Sequence, residues 1–153
     1  MRAKWIIVIA ALLAIALTAQ EAETAISGLY QTEDWKNEKH VPVISAPERV
    51  EAGEEFTIEV TVGEEIEHPN TTEHHIRWIE VFFMPDGADY PFSLGRFEFT
   101  SHGESIDGPN SSGVYSEPDV TLKAKIEGPG TLIANSYCNI HGLWTFDKRI
   151  EIR

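Results

Sequence analysis

The sequence predicts an all-β domain: an immunoglobulin-like β-sandwich of about seven strands, preceded by an N-terminal signal or anchor helix. Three observations support this. Several short runs alternate apolar and polar residues at period two, Gly- and Pro-bearing turns separate them, and no long 3.6-residue apolar period occurs outside the leader.

Phe56 to Val62 (FTIEVTV) alternates apolar and polar, the pattern of a half-buried strand, between turns at Ala52-Gly53-Glu54 and Gly63-Glu64-Glu65. Ile76 to Met84 (IRWIEVFFM) is apolar on both faces and suits a strand inside the sheet stack. Tyr90 to Thr100 predicts another strand, interrupted near Gly95, because an interior glycine often marks a bulge. Val120, Leu122, Ala124 and Ile126 alternate with polar neighbours, and Gly128-Pro129-Gly130 turns the chain into Thr131 to Tyr137. The last strand places Phe146, Ile150 and Ile152 on one face, which Lys148 interrupts. Ser101 to Pro118 is a long connection rich in Gly, Ser, Pro and Asn, and loops of that length are usually functional or mobile.

The 153 residues suit one domain, and with 42% hydrophobic and 24% charged residues the chain reads as globular. Its 25 acidic and 12 basic side chains give a formal charge of -13, which argues against nucleic acid and anionic membrane surfaces as partners. Arg2 and Lys4 precede an uncharged stretch from Trp5 to Ala19, the pattern of a signal-peptide core. Residues 1–22 are therefore expected to be a signal peptide or a retained membrane anchor, and 27–153 an exported domain. Cys138 is the single cysteine, so no disulfide within the chain and no all-cysteine metal centre can form.

Metal-binding side chains gather in three short segments. Glu38-Lys39-His40 precedes Val41-Pro42-Val43, His68 to His75 (HPNTTEHH) precedes the apolar strand, and Cys138 to Trp144 (CNIHGLW) lies between the last two strands. Imidazoles with one thiolate suit iron, copper or zinc and exclude magnesium and calcium. Cys138-x-x-His141 lets both side chains reach one ion from a tight turn. In an extended segment His74 and His75 point to opposite faces, so one of them joins such a site.

The segments EKHVPVI (Glu38 to Ile44), HPNTTEHHIRWIE (His68 to Glu80) and SYCNIHGLW (Ser136 to Trp144) resemble the signatures of superoxide reductases. The match is to the neelaredoxin type, the one-iron branch of the desulfoferrodoxin family, and GRFEFTSHGESIDGPN (Gly95 to Asn110) resembles its central region. The resemblance runs from about Trp35 to the C-terminus. It implies an immunoglobulin-like sandwich and one mononuclear non-haem iron. Its equatorial ligands would be His40, His68, His74 and His141, and its axial ligand Cys138. Glu38 would match the carboxylate that occupies the sixth position of the ferric ion, and Lys39 the cation beside the open site. His75 would face away from the iron, and His102 receives no role. The implied reaction is reduction of superoxide to hydrogen peroxide, with electrons from an external, rubredoxin-like donor and a homotetramer as the family's common assembly. The two-iron members carry a further domain needing four cysteines, which one cysteine cannot supply.

Two other functions compete. A copper electron-transfer sandwich would want an axial methionine soon after its last ligands, but the methionines are Met1 and Met84. A non-catalytic binding module would lack some of the ligands, whereas all five are present.

Overall fold

The computed structural model describes residues 28–153, and the expected leader lies outside the described residues. Nine strands and no helix occur among them. They are β1 (Tyr30–Gln31), β2 (Pro42–Ser45), β3 (Arg49–Val50), β4 (Glu55–Val62), β5 (Ile76–Pro85), β6 (Phe92–Glu98), β7 (Asp119–Lys125), β8 (Gly130–Cys138) and β9 (Gly142–Ile152). About seven were expected. The surplus is β1 and β3, two-residue strands too short to carry an alternating pattern.

Two sheets form. The larger has the order β1-β9-β8-β5-β6 with β3 parallel to β9, and the smaller has the order β2-β4-β7. Period-two alternation decides which side chains meet between them. In β4, Phe56, Ile58, Val60 and Val62 point inward while Glu55, Thr57 and Glu59 are exposed. In β5, Ile76, Ile79, Val81 and Phe83 are buried, and in β8 Leu132, Ala134, Ser136 and Cys138. Apart from the buried polar Ser136, these residues from both sheets belong to one hydrophobic core, in which Ile58, Ile79, Leu132 and Ile150 are 0% exposed.

The expectation that β5 is covered on both faces needs correction. Trp78, Phe82 and Met84 lie on its outer side and are only half-buried, because the smaller sheet covers one face of the larger. The bulge expected near Gly95 is present. Val81 pairs with Gly95 and Phe82 with Ser93, so β6 spends one extra residue, Leu94, against β5.

Strand directions fix where functional groups can meet. Pro42 pairs with Val62, Ile76 with Cys138, and Cys138 with Gly142. The start of β2, the end of β4, the start of β5, the end of β8 and the start of β9 therefore share one end of the two sheets.

One-sided burial has a testable consequence. Leu132→Ala should cost about 2–5 kcal/mol of stability through lost burial and the cavity left behind. Ile133→Ala, on the half-buried outer face of the same strand, should cost less. Urea denaturation of the two variants measures the difference, and equal losses would mean that the outer face is also packed.

Candidate metal centre

Each segment reaches the common end of the sheets by a local device. His40 is two residues before β2, and its carbonyl accepts a 3.1 Å hydrogen bond from the Ser136 hydroxyl in the middle of the larger sheet. His68 follows β4 through a turn that needs Gly63. Its φ is +93°, and a Cβ there would stand 2.7 Å from the His68 nitrogen. His74 sits just ahead of β5, held within its own loop by 3.1 Å and 3.0 Å bonds to Thr71. Cys138 ends β8, and Asn139 to His141 form the turn into β9, where Gly142 adopts φ +79°.

The result is a cluster of donors. Ligand atoms of His40, His68, His74 and Cys138 lie within 4.8 Å of one another. His141 joins them, its Nδ1 3.5 Å from the Cys138 Sγ and 3.2 Å from the His74 Nε2. The four rings form a closed cycle. Centroids are 4.8 Å apart for His40 and His68, 4.6 Å for His68 and His74, 4.8 Å for His74 and His141, and 4.5 Å for His141 and His40. Each neighbouring pair is edge-to-face, at 66° to 77°. Facing rings of His40 and His74 are 5.8 Å apart.

Hydrogen bonds settle which nitrogens face inward. The His40 Nδ1–H donates to the Glu38 carboxylate at 2.5 Å, and the His68 Nδ1–H to the Pro69 carbonyl at 2.7 Å. This leaves Nε2 of both residues as buried lone pairs with no hydrogen-bond partner. Buried polar atoms are normally satisfied, so two orphaned acceptors beside a buried thiol fit a soft or borderline metal ion. To such an ion His40, His68 and His74 would offer Nε2, His141 Nδ1 and Cys138 its sulfur. The second nitrogens of His40 and His68 are tied to a carboxylate and a carbonyl, the usual way a ligand's tautomer and ring plane are fixed.

The electrostatics agree. Burial pushes the His68 imidazole down to about 3, against the opposing bond to Pro69, with His40, His74 and Lys39 adding to the shift. His40 is lowered by burial although Glu38 opposes it, and His74 by burial and by its charged-state repulsion with His141, His40 and Lys39. Neutral imidazoles keep the lone pairs a metal needs. Burial raises the Glu38 carboxyl, but its bonds to His40 outweigh this and hold it below the ordinary value. Glu38 thus stands behind a ligand, on the Nδ1 side of His40. Lys39 is half-buried next to it, near enough to influence three of the imidazoles.

Two singled-out histidines lie outside the cluster. The His75 Nδ1–H donates to the Thr71 carbonyl at 2.8 Å, and its ring stacks on His102 at 3.7 Å and 10°. His102 is buried, with Asn70 Oδ1 at 2.7 Å and the Phe99 carbonyl at 3.0 Å from its ring nitrogens. It fastens the long 101–118 connection to the loop carrying His68 and His74. Asn110 does the same, its Oδ1 accepting from the Thr72 N–H at 2.8 Å and its Nδ2 donating to Glu73 at 2.9 Å. Sequence reasoning missed Asn110, Asn139 and Trp144. Trp144 stacks on His40 at 5.0 Å and 16° and is buried. Its place in the CNIHGLW segment was the available signal.

The metal-free protein should lose stability as pH falls from about 6.5 toward about 3, because His68 binds its proton more weakly folded than unfolded in that window. Unfolding then takes up a proton, so acid favours the unfolded chain. Urea midpoints of metal-free protein and of His68→Asn across this range would show the effect as a shallower pH slope in the variant.

The chain matches the family model described as Desulfoferrodoxin over residues 32–147. It is 52% identical over 126 residues to the superoxide reductase of Pyrococcus furiosus, covering 82% of this chain and 99% of that protein. It is 50% identical over 125 residues to the neelaredoxin of Megalodesulfovibrio gigas, covering 82% and 96%. A Thermotoga maritima protein of known structure superposes with a TM-score of 0.81 at 59% identity, covering 83% of this chain and 96% of that one. The chain belongs to the desulfoferrodoxin family.

Proposed function

We propose that this protein is a superoxide reductase, converting superoxide, one electron and two protons into hydrogen peroxide. The observation that carries the proposal is the convergence of five donor side chains with two orphaned Nε2 atoms, from segments far apart in sequence. The activity named for the Pyrococcus furiosus relative supports it. His40, His68, His74, His141 and Cys138 would hold iron. When bound there, ferrous iron supplies the electron and a coordination position open to substrate.

The chain's own residues bring the anion in and supply protons. A protein of charge -13 repels superoxide, but that field is screened over about 8 Å at physiological salt. A cation at the site therefore governs the last part of the approach, and Lys39 is that cation. Its ammonium also holds a proton source beside the product. Glu38 keeps the His40 ring oriented through Nδ1, and by the family resemblance it would also bind the oxidised ion. The electron comes from an external, rubredoxin-like donor.

The wider reading is an immunoglobulin-like sandwich, exported behind a signal peptide or anchor at residues 1–22 and assembling as a homotetramer. A blue-copper carrier fits less well. Met84 is the one methionine among the described residues, eight positions along β5 from Ile76 and so about 26 Å away at a strand's rise.

Purified protein should contain about one iron per chain, a stoichiometry set by its five ligands. It should show a thiolate-to-iron band in the visible when oxidised. Cys138→Ser should remove the band and nearly all superoxide reduction. An unchanged spectrum and activity would overturn the proposal.

Lys39→Ala should slow the second-order reaction with superoxide and flatten its dependence on ionic strength, because a steering charge is removed. Pulse radiolysis across a salt series measures both, and a wild-type rate at low salt would refute the steering role.

A further inference from the structure

We propose that Asn139 is a positioning residue that fixes His74 against the turn carrying Cys138 and His141. This inference rests on the metal-centre reading above and concerns how the chain assembles that centre.

The two segments come from different parts of the sequence, and their own internal bonds do not hold them together. The His74 N–H and carbonyl both bond to Thr71, inside the same loop. The β5–β8 ladder reaches the site at Ile76 and Cys138, but its register shifts between Ile76 and Trp78, immediately beside the ligands. Regular pairing is thus interrupted where the tolerance on ligand position is smallest.

Asn139 bridges that interval. Its backbone N–H donates to the His75 carbonyl at 3.1 Å. Its side-chain Oδ1 accepts from the His75 N–H at 2.9 Å, and its Nδ2 donates to the Glu73 carbonyl at 2.9 Å. One amide side chain therefore grips the peptide groups on both sides of His74. It does so from the residue next to Cys138, with Oδ1 3.9 Å from the sulfur. Asn is suited to this because it offers a donor and an acceptor on a short, planar group. The 3.2 Å contact between the His74 Nε2 and the His141 Nδ1 spans the same two segments that Asn139 joins, so the Asn139 bonds set the backbone positions from which these two rings meet.

The probe is cobalt(II), whose thiolate charge-transfer and ligand-field bands report coordination directly. Wild-type protein should bind it with a thiolate-to-cobalt band; absence of that band would count against the metal-centre reading itself, whatever Asn139 does. Asn139→Ala should weaken cobalt affinity by about ten- to a hundred-fold, the usual effect of losing a group that orients ligands. It should also shift the ligand-field bands and, in the iron form, the midpoint potential. Asn139→Asp keeps an oxygen for the His75 N–H and loses the donor to Glu73, so it should shift the bands in the same direction and remain measurable if the alanine variant folds poorly. Thermal unfolding of the metal-free variants separates stability from positioning. Variants that melt lower yet bind cobalt with wild-type affinity and wild-type bands would show a purely structural role and overturn the proposal.

Discussion

The register that sets Ile76 opposite Cys138 is the constraint on which the site depends. A slip of one residue would turn Leu132, Ala134, Ser136 and Cys138 from the core to the outer face, because side chains alternate strictly along a strand. The thiol would leave the interior and His141 would turn with it. The hydrophobic pattern therefore does two tasks. It selects the fold, and by fixing the register it places the only sulfur ligand. Ser136 transmits the same register to the smaller sheet's side of the site, through its hydroxyl bond to the His40 carbonyl.

Around that fixed point the chain tolerates an unfavourable arrangement. Inward-facing nitrogen lone pairs and a buried thiol crowd one small space, with no protein donors to satisfy two of the nitrogens. Leaving a buried polar atom unpaired costs about 1–3 kcal/mol. The scaffold offsets such costs with a core that draws on both sheets, and with ties behind the ligands. Glu38 holds His40, the Pro69 carbonyl holds His68, and the 101–118 connection braces the intervening loop through His102 and Asn110. That long connection, which carries no ligand, is in this sense part of the site.

Six of the seven longer strands were legible because their alternation is a property of neighbouring residues, whereas β2, four residues long, was not singled out. The two-residue strands were not, since two residues have no period. The outer face of β5 misled because Trp78, Phe82 and Met84 are apolar without being covered, and composition does not distinguish a packed face from a half-packed one. The ligand segments were readable for a different reason. Histidines and the sole cysteine sit at strand ends, and antiparallel strands bring their ends together. What could not be read was any contact between loops. His75 and His102 are 27 positions apart, and nothing in either segment announces a stack at 3.7 Å. The contact of Glu38 with the far nitrogen of His40 is likewise a matter of ring orientation, which sequence does not encode locally.

The ligands are not equally accessible. Cys138, His40 and His68 are buried, His74 is half-buried, and His141 is exposed. The His40 and His68 rings are also pinned through their outer nitrogens, while His141 stands on the turn just before Gly142, whose φ is +79°. Capture and loss of an ion would therefore be directional. An arriving ion would meet His141 and His74 first and the anchored pair last, and a departing ion would have to be released by the anchored pair before it could leave. The lifetime of the loaded state would then be governed by the buried inner wall, and its rate of formation by the exposed outer one.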